Sequence, residues 1–330
     1  DHSFELFDPI KIKTRLERVL APHHKGVVNV NLILERLDKG LPDGISTARL
    51  DELVVQVCDA LTIEHPYYKE VGGRIMLTRH RKTNPLRFSE VTRQNRDLLE
   101  EDFVAFVEYF AEALDDIEKD GMRLEAVNPD LTTDSIRTLT ESYFRPGERY
   151  ETLLMRVAAG IWRGIDNMHN ASFEMIRKSF KLMLAGYYTH ATPTLFNAGT
   201  LVGQLASCFL LPVESDSIKG IYSTLRTVAQ MSQAAGGIGV GMAKIRAAGS
   251  KIRTGGKATG VPGLLPPYNK TLAYADQGRQ RDGVSAITIP LWHADALDVC
   301  TIQHPIQPPG RERLKHLFPA LWVNELFHKR

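Results

Sequence analysis

AAGGIGVGMAKIRAAGS, residues 234–250, decides how the C-terminal half of the chain is read. Its glycines invite comparison with phosphate loops, and the comparison fails. A Walker loop would need glycine at 251 and Ser or Thr after Gly256-Lys257, but residue 251 is lysine and residue 258 alanine. A dinucleotide fingerprint turns from strand into helix, whereas Gly237, Gly239 and Gly241 alternate with apolar residues as along a strand. Glycine inside a strand marks close approach of a backbone or of a ligand. The spacing leaves both readings open.

Outward from this segment, SCFLLPV (207–213) and AITIPLW (286–292) also read as strands, with a helix over about Ile218–Ala235 between the first two. Strand, helix and strand in that order predict a parallel α/β unit whose strand-end loops can hold ligands. Two such loops concentrate charge. RAAGSKIRTGGKATG (246–260) sets Arg246, Lys251, Arg253 and Lys257 among glycines, and DQGRQRDG (276–283) mixes amides, arginines and glycines. Either loop alone reads as a solvated turn. Together they point to a phosphate or nucleotide ligand, bound by charge-assisted hydrogen bonds and unpaired backbone N–H groups.

Before His190 the pattern is helical. Asp8-Pro9 suits a helix start, since Asp caps the first N–H groups and Pro tolerates the first helical position. Ile12, Leu16, Val19 and Leu20 then share a face. Ser46 or Thr47 opens a second helix bearing Leu50, Val54, Val55, Cys58 and Leu61; His65-Pro66 breaks it, and a third runs to about Lys82. Residues 1–7, DHSFELF, read as extended, like part of a hairpin. From Phe88 to about Thr189, runs such as LLEEDFVAFVEYFAEAL (98–114) and ETLLMRVAAGIWRGI (151–165) keep a helical period. The acidic stretch Asp115–Asp120 is expected to be a solvated helix end.

With 330 residues, 43% hydrophobic and 24% charged, the chain can build two or three domains. A net charge of +2 carries no polyelectrolyte signal for nucleic acid. No apolar run approaches a membrane span and no leader pattern opens the sequence, so a cytoplasmic chain is expected. Three scattered cysteines, Cys58, Cys208 and Cys300, form no metal pattern and suit a reducing compartment. Cys58 reads as a core thiol. Cys208 in its apolar strand would by itself read the same way. His190 and His293 lack ligand spacing and read as satisfied structural histidines.

At HATPTLFNAGT (190–200) and QLASCFLLP (204–212) the sequence resembles the large subunit of class I ribonucleotide reductase, in its eukaryotic and viral style. DSIKGIY (216–222), AAGGIGVGM (234–242), IRAAGS (245–250), YNKT (268–271), DQG (276–278) and LFPALWVNELF (317–327) follow in the family's order. LTIEHPYYKEVGGRIMLTRHRK (61–82) is similar to the nucleotide-sensing lobe called the ATP cone. The resemblance covers essentially the whole chain. It implies an α+β and α/β architecture: an ATP-cone-like lobe at 1–86, a helical region at 87–189, and the first half of a ten-stranded α/β barrel at 190–330.

It also implies roles. Cys208 matches the cysteine that reduces substrate and closes a disulfide with a second cysteine far downstream. Thr192, Ser207 and Gly237 match positions beside the substrate diphosphate and ribose. Asp216, Ser217, Ile218, Arg246 and Arg253 match the site where a deoxynucleoside triphosphate sets substrate choice, and Gln277 and Arg281 the loop relaying that choice. Thr47, Asp51 and Lys82 match the surroundings of ATP or dATP in the cone. The implied partners are a ribonucleotide substrate, a small subunit holding the metal-radical centre, a second copy of the chain, and a thioredoxin- or glutaredoxin-type reductant. No metal is expected in this chain, and no nucleic acid or membrane partner.

The sequence departs from the family pattern. Its Asn-x-Cys-x-Glu block, whose cysteine becomes the thiyl radical, is not among these residues, nor are the partner of Cys208, the paired tyrosines of radical transfer and the Cys-rich tail. The 330 residues alone are therefore expected to be inactive, completed by a separate C-terminal fragment if the enzyme is split. Pro9 stands where the family has lysine, which predicts weak ATP or dATP binding by the cone, and Gln233 replaces a lysine near the effector. Two other readings stand beside the main one: a catalytically inactive nucleotide-binding homologue, and a cobalamin-dependent class II reductase.

Overall fold

The computed structural model describes residues 8–42, 44–123, 131–164, 170–234, 236–275, 283–307 and 309–329. It divides into two compact units, Asp1–His190 with Ala198–Gly203, and Ala191–Asn197 with Gln204–Arg330. The expected extended stretch at 1–7 lies outside the described residues.

The first unit is helical. Its front lobe comprises α1 (Pro9–Val19), α2 (Val30–Asp38), α3 (Thr47–Ala60) and α4 (Tyr67–Thr83). Asp8 caps α1 by accepting from the Ile10 N–H at 2.8 Å, with Pro9 in the first turn. Ser46 caps α3 through the Arg49 N–H, which leaves Thr47 as the first helical residue. The helices close over Leu16, Ile33, Leu37, Val54, Val55, Cys58, Tyr68, Val71 and Ile75. Burial of each such side chain contributes about 1.5–3 kcal/mol, against the entropy of ordering the chain.

Six further helices follow: α5 (Phe88–Gln94), α6 (Glu101–Tyr109), α7 (Ala111–Arg123), α8 (Thr133–Thr138), α9 (Tyr150–Trp162) and α10 (Asn170–Leu184). The acidic stretch Asp115–Asp120 lies within α7 and only partly fits the solvated reading: Asp116 and Asp120 are exposed, while Asp115 and Glu118 correct it. Asp115 and Glu118 are buried, one turn apart, beside Leu114 and Ile117. They cap α5 from outside: Asp115 accepts from the Ser89 N–H at 2.9 Å, Glu118 from the Phe88 N–H at 3.1 Å. Glu118 also accepts from Arg149 and Thr152. Desolvation nevertheless holds its carboxyl above the usual range, against the pull of the Arg149 charge.

The second unit holds α11 (Thr192–Asn197), β1 (Cys208–Pro212), α12 (Ile218–Gln233), β2 (Gly237–Gly241), α13 (Gly260–Tyr274), β3 (Ser285–Pro290), α14 (Ala296–Cys300), β4 (Leu317–Trp322) and α15 (Glu325–Lys329). The strands form one parallel sheet in sequence order, with Cys208 opposite Gly237, Ile238 opposite Ser285 and Ser285 opposite Leu317. Ile238 and Val240 of β2 and Ile287 and Ile289 of β3 pack with Val228 of α12 and Val261, Leu265, Tyr268 and Leu272 of α13. The predicted parallel α/β unit is thus present, with a fourth strand and the helices α11, α13, α14 and α15 that the residue pattern alone did not suggest.

Candidate functional site

The sequence-predicted residues of the second unit gather at opposite ends of the sheet, which at ~3.3 Å per residue is about 16 Å deep. At the amino end, Cys208 begins β1. It is exposed, which corrects the core-thiol reading its apolar neighbours suggested. The Ser207 hydroxyl lies 3.6 Å from the Cys208 Sγ, and the Ser207 carbonyl accepts from the Gly237 N–H at 2.7 Å. A Cβ on Gly237 would stand 3.1 Å from that carbonyl and 3.9 Å from the thiol. On Gly239 it would meet Leu210 Cδ2 at 2.8 Å, the tip of an exposed side chain that can turn away.

Thr192 opens α11, and α11 is tied to the lead-in of β1. Thr194 donates to the Leu205 carbonyl at 2.9 Å and Asn197 to that of Gln204 at 2.7 Å. α11, which Thr192 opens, is thus tied to the residues leading into β1, while Ser207, Cys208 and Gly237 meet where β1 begins to pair with β2.

At the carboxyl end, the chain leaving β1 presents Asp216, Ser217 and Ile218, and the chain leaving β2 presents Arg246. Ser217 caps α12 through the Gly220 N–H at 3.1 Å, and Ile218 is fully on the surface. Arg246 Nε is 2.5 Å from Asp216 Oδ2. Residues 246–260 are not an unstructured loop. Lys251 and Lys257 form an antiparallel bridge, Ala258 donates to Ser250 at 2.8 Å, and Gly255 and Gly256 make the bend at φ +96° and +93°. The resulting arm displays Lys251, Arg253 and Lys257 to solvent. Crevices outside the carboxyl ends of parallel strands are where such sheets take ligands, and a cationic arm there suits a polyphosphate. Gln277 and Arg281 lie outside the described residues.

In the front lobe, Thr47 and Asp51 stand one turn apart on α3, and Lys82 is exposed in the last turn of α4. Asp51 is 9% exposed and already engaged: both its oxygens accept from Arg15 of α1, one of them from the Arg15 Nη2 at 3.1 Å. Sequence reading missed Arg15. Its helical spacing, three residues after Ile12 and one before Leu16, was the available signal. A cavity of about 200 Å³ opens beside Asp51, lined by Glu52, Gln56, Ile75, Met76 and Arg79 among others.

Among the described residues, one group brings metal-type ligand atoms together: His23, His24 and Glu70. His24 Nε2 lies 2.9 Å and His23 Nε2 3.3 Å from Glu70 Oε2. The Ala21 N–H, however, donates to His24 Nδ1 at 3.0 Å. That leaves the His24 proton on Nε2, facing Glu70, where a metal would need a lone pair. The group is a packed hydrogen-bonded corner. Of the two histidines read as satisfied, His293 is, donating to the Ile245 carbonyl at 2.8 Å. His190 is not: its Nε2 is buried with no hydrogen-bond partner among the described residues, and desolvation lowers its pKa.

Three family models match in order: the ATP cone domain over residues 1–83, the all-alpha domain of ribonucleotide reductase over 130–203, and the ribonucleotide reductase barrel domain over 206–330. Among curated proteins, the chain is 35% identical to ribonucleoside-diphosphate reductase large chain 2 of Saccharomyces cerevisiae, across 98% of this chain and 38% of the relative. It is 35% identical to the large subunit from Caenorhabditis elegans, across 97% and 41%, and 34% to that from Arabidopsis thaliana, across 97% and 40%. The chain thus spans about two fifths of the length of these relatives. No helix among the described residues is long and apolar enough to cross a membrane.

Proposed function

The chain belongs to the ribonucleotide reductase large-subunit family, and from that premise we propose that it supplies the reducing thiol and the nucleotide-sensing sites of a ribonucleoside-diphosphate reductase. The observation that carries this reading is the exposed Cys208 thiol, at the head of β1 beside Ser207 and Gly237. Overall, a ribonucleoside diphosphate and two thiols give the deoxyribonucleoside diphosphate, a disulfide and water. Cys208 is one of the two thiols. Oxidation to the disulfide provides the two electrons and two protons that remove the 2′-hydroxyl as water.

In this reading, Thr192, Ser207 and Gly237 hold the substrate's diphosphate and ribose. Asp216, Ser217 and Ile218 with Arg246 and Arg253 hold a deoxynucleoside triphosphate, and Gln277 and Arg281 pass its identity to the substrate base. Thr47, Asp51 and Lys82 hold ATP or dATP in the front lobe. The working assembly is a homodimer in the cytoplasm, joined by a small subunit with a metal-radical centre and recharged by a thioredoxin- or glutaredoxin-type protein. Its functional divisions are 1–86, 87–189 and 190–330.

The test is reduction of CDP by a large chain carrying this sequence, with small subunit and dithiol supplied. Formation of dCDP, with substrate preference shifted by dTTP or dATP, is expected. Nucleotide binding without turnover would indicate an inactive regulatory homologue, and dependence on adenosylcobalamin a different reductase class.

A further inference from the structure

Two side chains with no place in the reading above hold the base of the cationic arm. The turn after β3 carries His293 and Asp295. Asp295 is 4% exposed. Its carboxylate accepts from the Ala248 N–H, at 3.0 and 3.1 Å to its two oxygens, and from the Val261 N–H at 2.9 Å. One carboxylate thereby ties together the beginning and the end of the arm. The Val261 N–H is also in the first turn of α13, where the helix dipole favours a negative charge.

His293 completes the clamp. The Asp295 N–H donates to His293 Nδ1 at 3.1 Å, which places the ring proton on Nε2, the atom 2.8 Å from the Ile245 carbonyl. Residues 245, 248 and 261 are thus fixed by one short turn. The closeness demands glycine at 260, where φ is +66°: a Cβ would stand 2.2 Å from the Ala248 nitrogen and 2.5 Å from Asp295 Oδ2.

We propose that His293 and Asp295 are positioning residues for effector binding: they preorganise the 246–260 arm so that its cations meet a nucleoside triphosphate without first being ordered. The inference rests on the effector reading of Arg246 and Arg253. An arm with four cations among glycines would otherwise lose conformational freedom on binding, and a fixed base removes part of that cost. If the two residues served the fold alone, their loss would weaken every ligand of the unit alike.

The experiment is calorimetric titration of the full chain with dTTP and, separately, with CDP, which reports the opposite end of the sheet. Amide exchange over 247–258 is measured in parallel. Asp295→Asn and His293→Leu are expected to weaken dTTP roughly tenfold, accelerate exchange in the arm and leave CDP affinity unchanged. His293→Gln, which retains an amide donor toward the Ile245 carbonyl, restores dTTP binding. Wild-type dTTP affinity in Asp295→Asn and His293→Leu, while Arg253→Ala weakens it, overturns the clamp alone. Equal losses for dTTP and CDP also overturn it. No effect of Arg246→Ala and Arg253→Ala, or no dTTP binding by the unsubstituted chain, removes the effector reading and the clamp with it. Should Asp295→Asn fail to fold, the two His293 variants decide.

Discussion

Arg246 reaches back thirty residues to Asp216, joining the chain that leaves β2 to the chain that leaves β1. The pair lies between Ser217, which caps α12, and the arm carrying Arg253. Resemblance assigns Asp216 to an effector ribose and Arg246 to an effector phosphate. In the structure each is the other's partner through Arg246 Nε and Asp216 Oδ2.

Both side chains are partly exposed, so the pair contributes no more than about 1 kcal/mol to stability. Asp216→Ala and Arg246→Ala should therefore melt close to the parent chain. Loss of one charge-assisted bond to the ligand, at about 1.5–3 kcal/mol, should weaken dTTP or dGTP ten- to a hundredfold. Titration of both variants checks this; parent-like affinity in both would remove the site.

Thiol reactivity separates the three cysteines. Burial pushes the Cys58 thiol up to about 12, whereas Cys208 and Cys300 are exposed. The thiolate is the reacting species. An aromatic disulfide reagent at pH 8 should label two thiols rapidly in the folded chain and the third only after denaturation. Rapid labelling of all three would show that the front-lobe core around Cys58 is open.

Acid should loosen the front lobe through His24. Burial, then the charges of His23 and Arg74, hold its pKa below 6.5, against the raising pull of Glu70. With the folded-state pKa depressed, its contribution is fully present above pH 6.5. It is lost as pH falls through the folded pKa, because the unfolded chain takes up the proton first. Protonation would also break the bond from the Ala21 N–H. Melting temperatures between pH 7 and pH 5 should fall more steeply for the parent than for His24→Gln. Equal slopes would contradict the assignment.

Much of this architecture could be read from periodicity, because most helices and three strands carry their apolar residues at regular spacing. What stayed hidden was structure whose local signals point the wrong way. Gly263, Pro266 and Pro267 discourage a helix, yet α13 forms because Val261, Leu265, Tyr268 and Leu272 fall on one buried face. Pro319 similarly masked β4, which pairs with β3 at the edge of the described sheet. Asp115 and Glu118 looked like solvated charge; their role as caps for α5 depends on a tertiary contact that a linear reading does not contain. At the candidate site, residue types suggested a polyphosphate, and resemblance alone supplied roles for Cys208 and Asp216. The pairing of Arg15 with Asp51, and the turn that clamps the arm, needed three dimensions.

The central claim is that Cys208 gives electrons to a nucleotide held at the amino end of the sheet. It is tested most directly by substituting Cys208→Ser in a large chain carrying this sequence, assembled with its small subunit. CDP binding and CDP reduction with dithiol are then measured on the same preparation. Serine matches the thiol in shape but cannot close a disulfide, so CDP should bind as in the parent while sustained dCDP formation is abolished. Sustained dCDP formation at the parent rate would contradict the account and leave Cys208 an exposed thiol without a redox role.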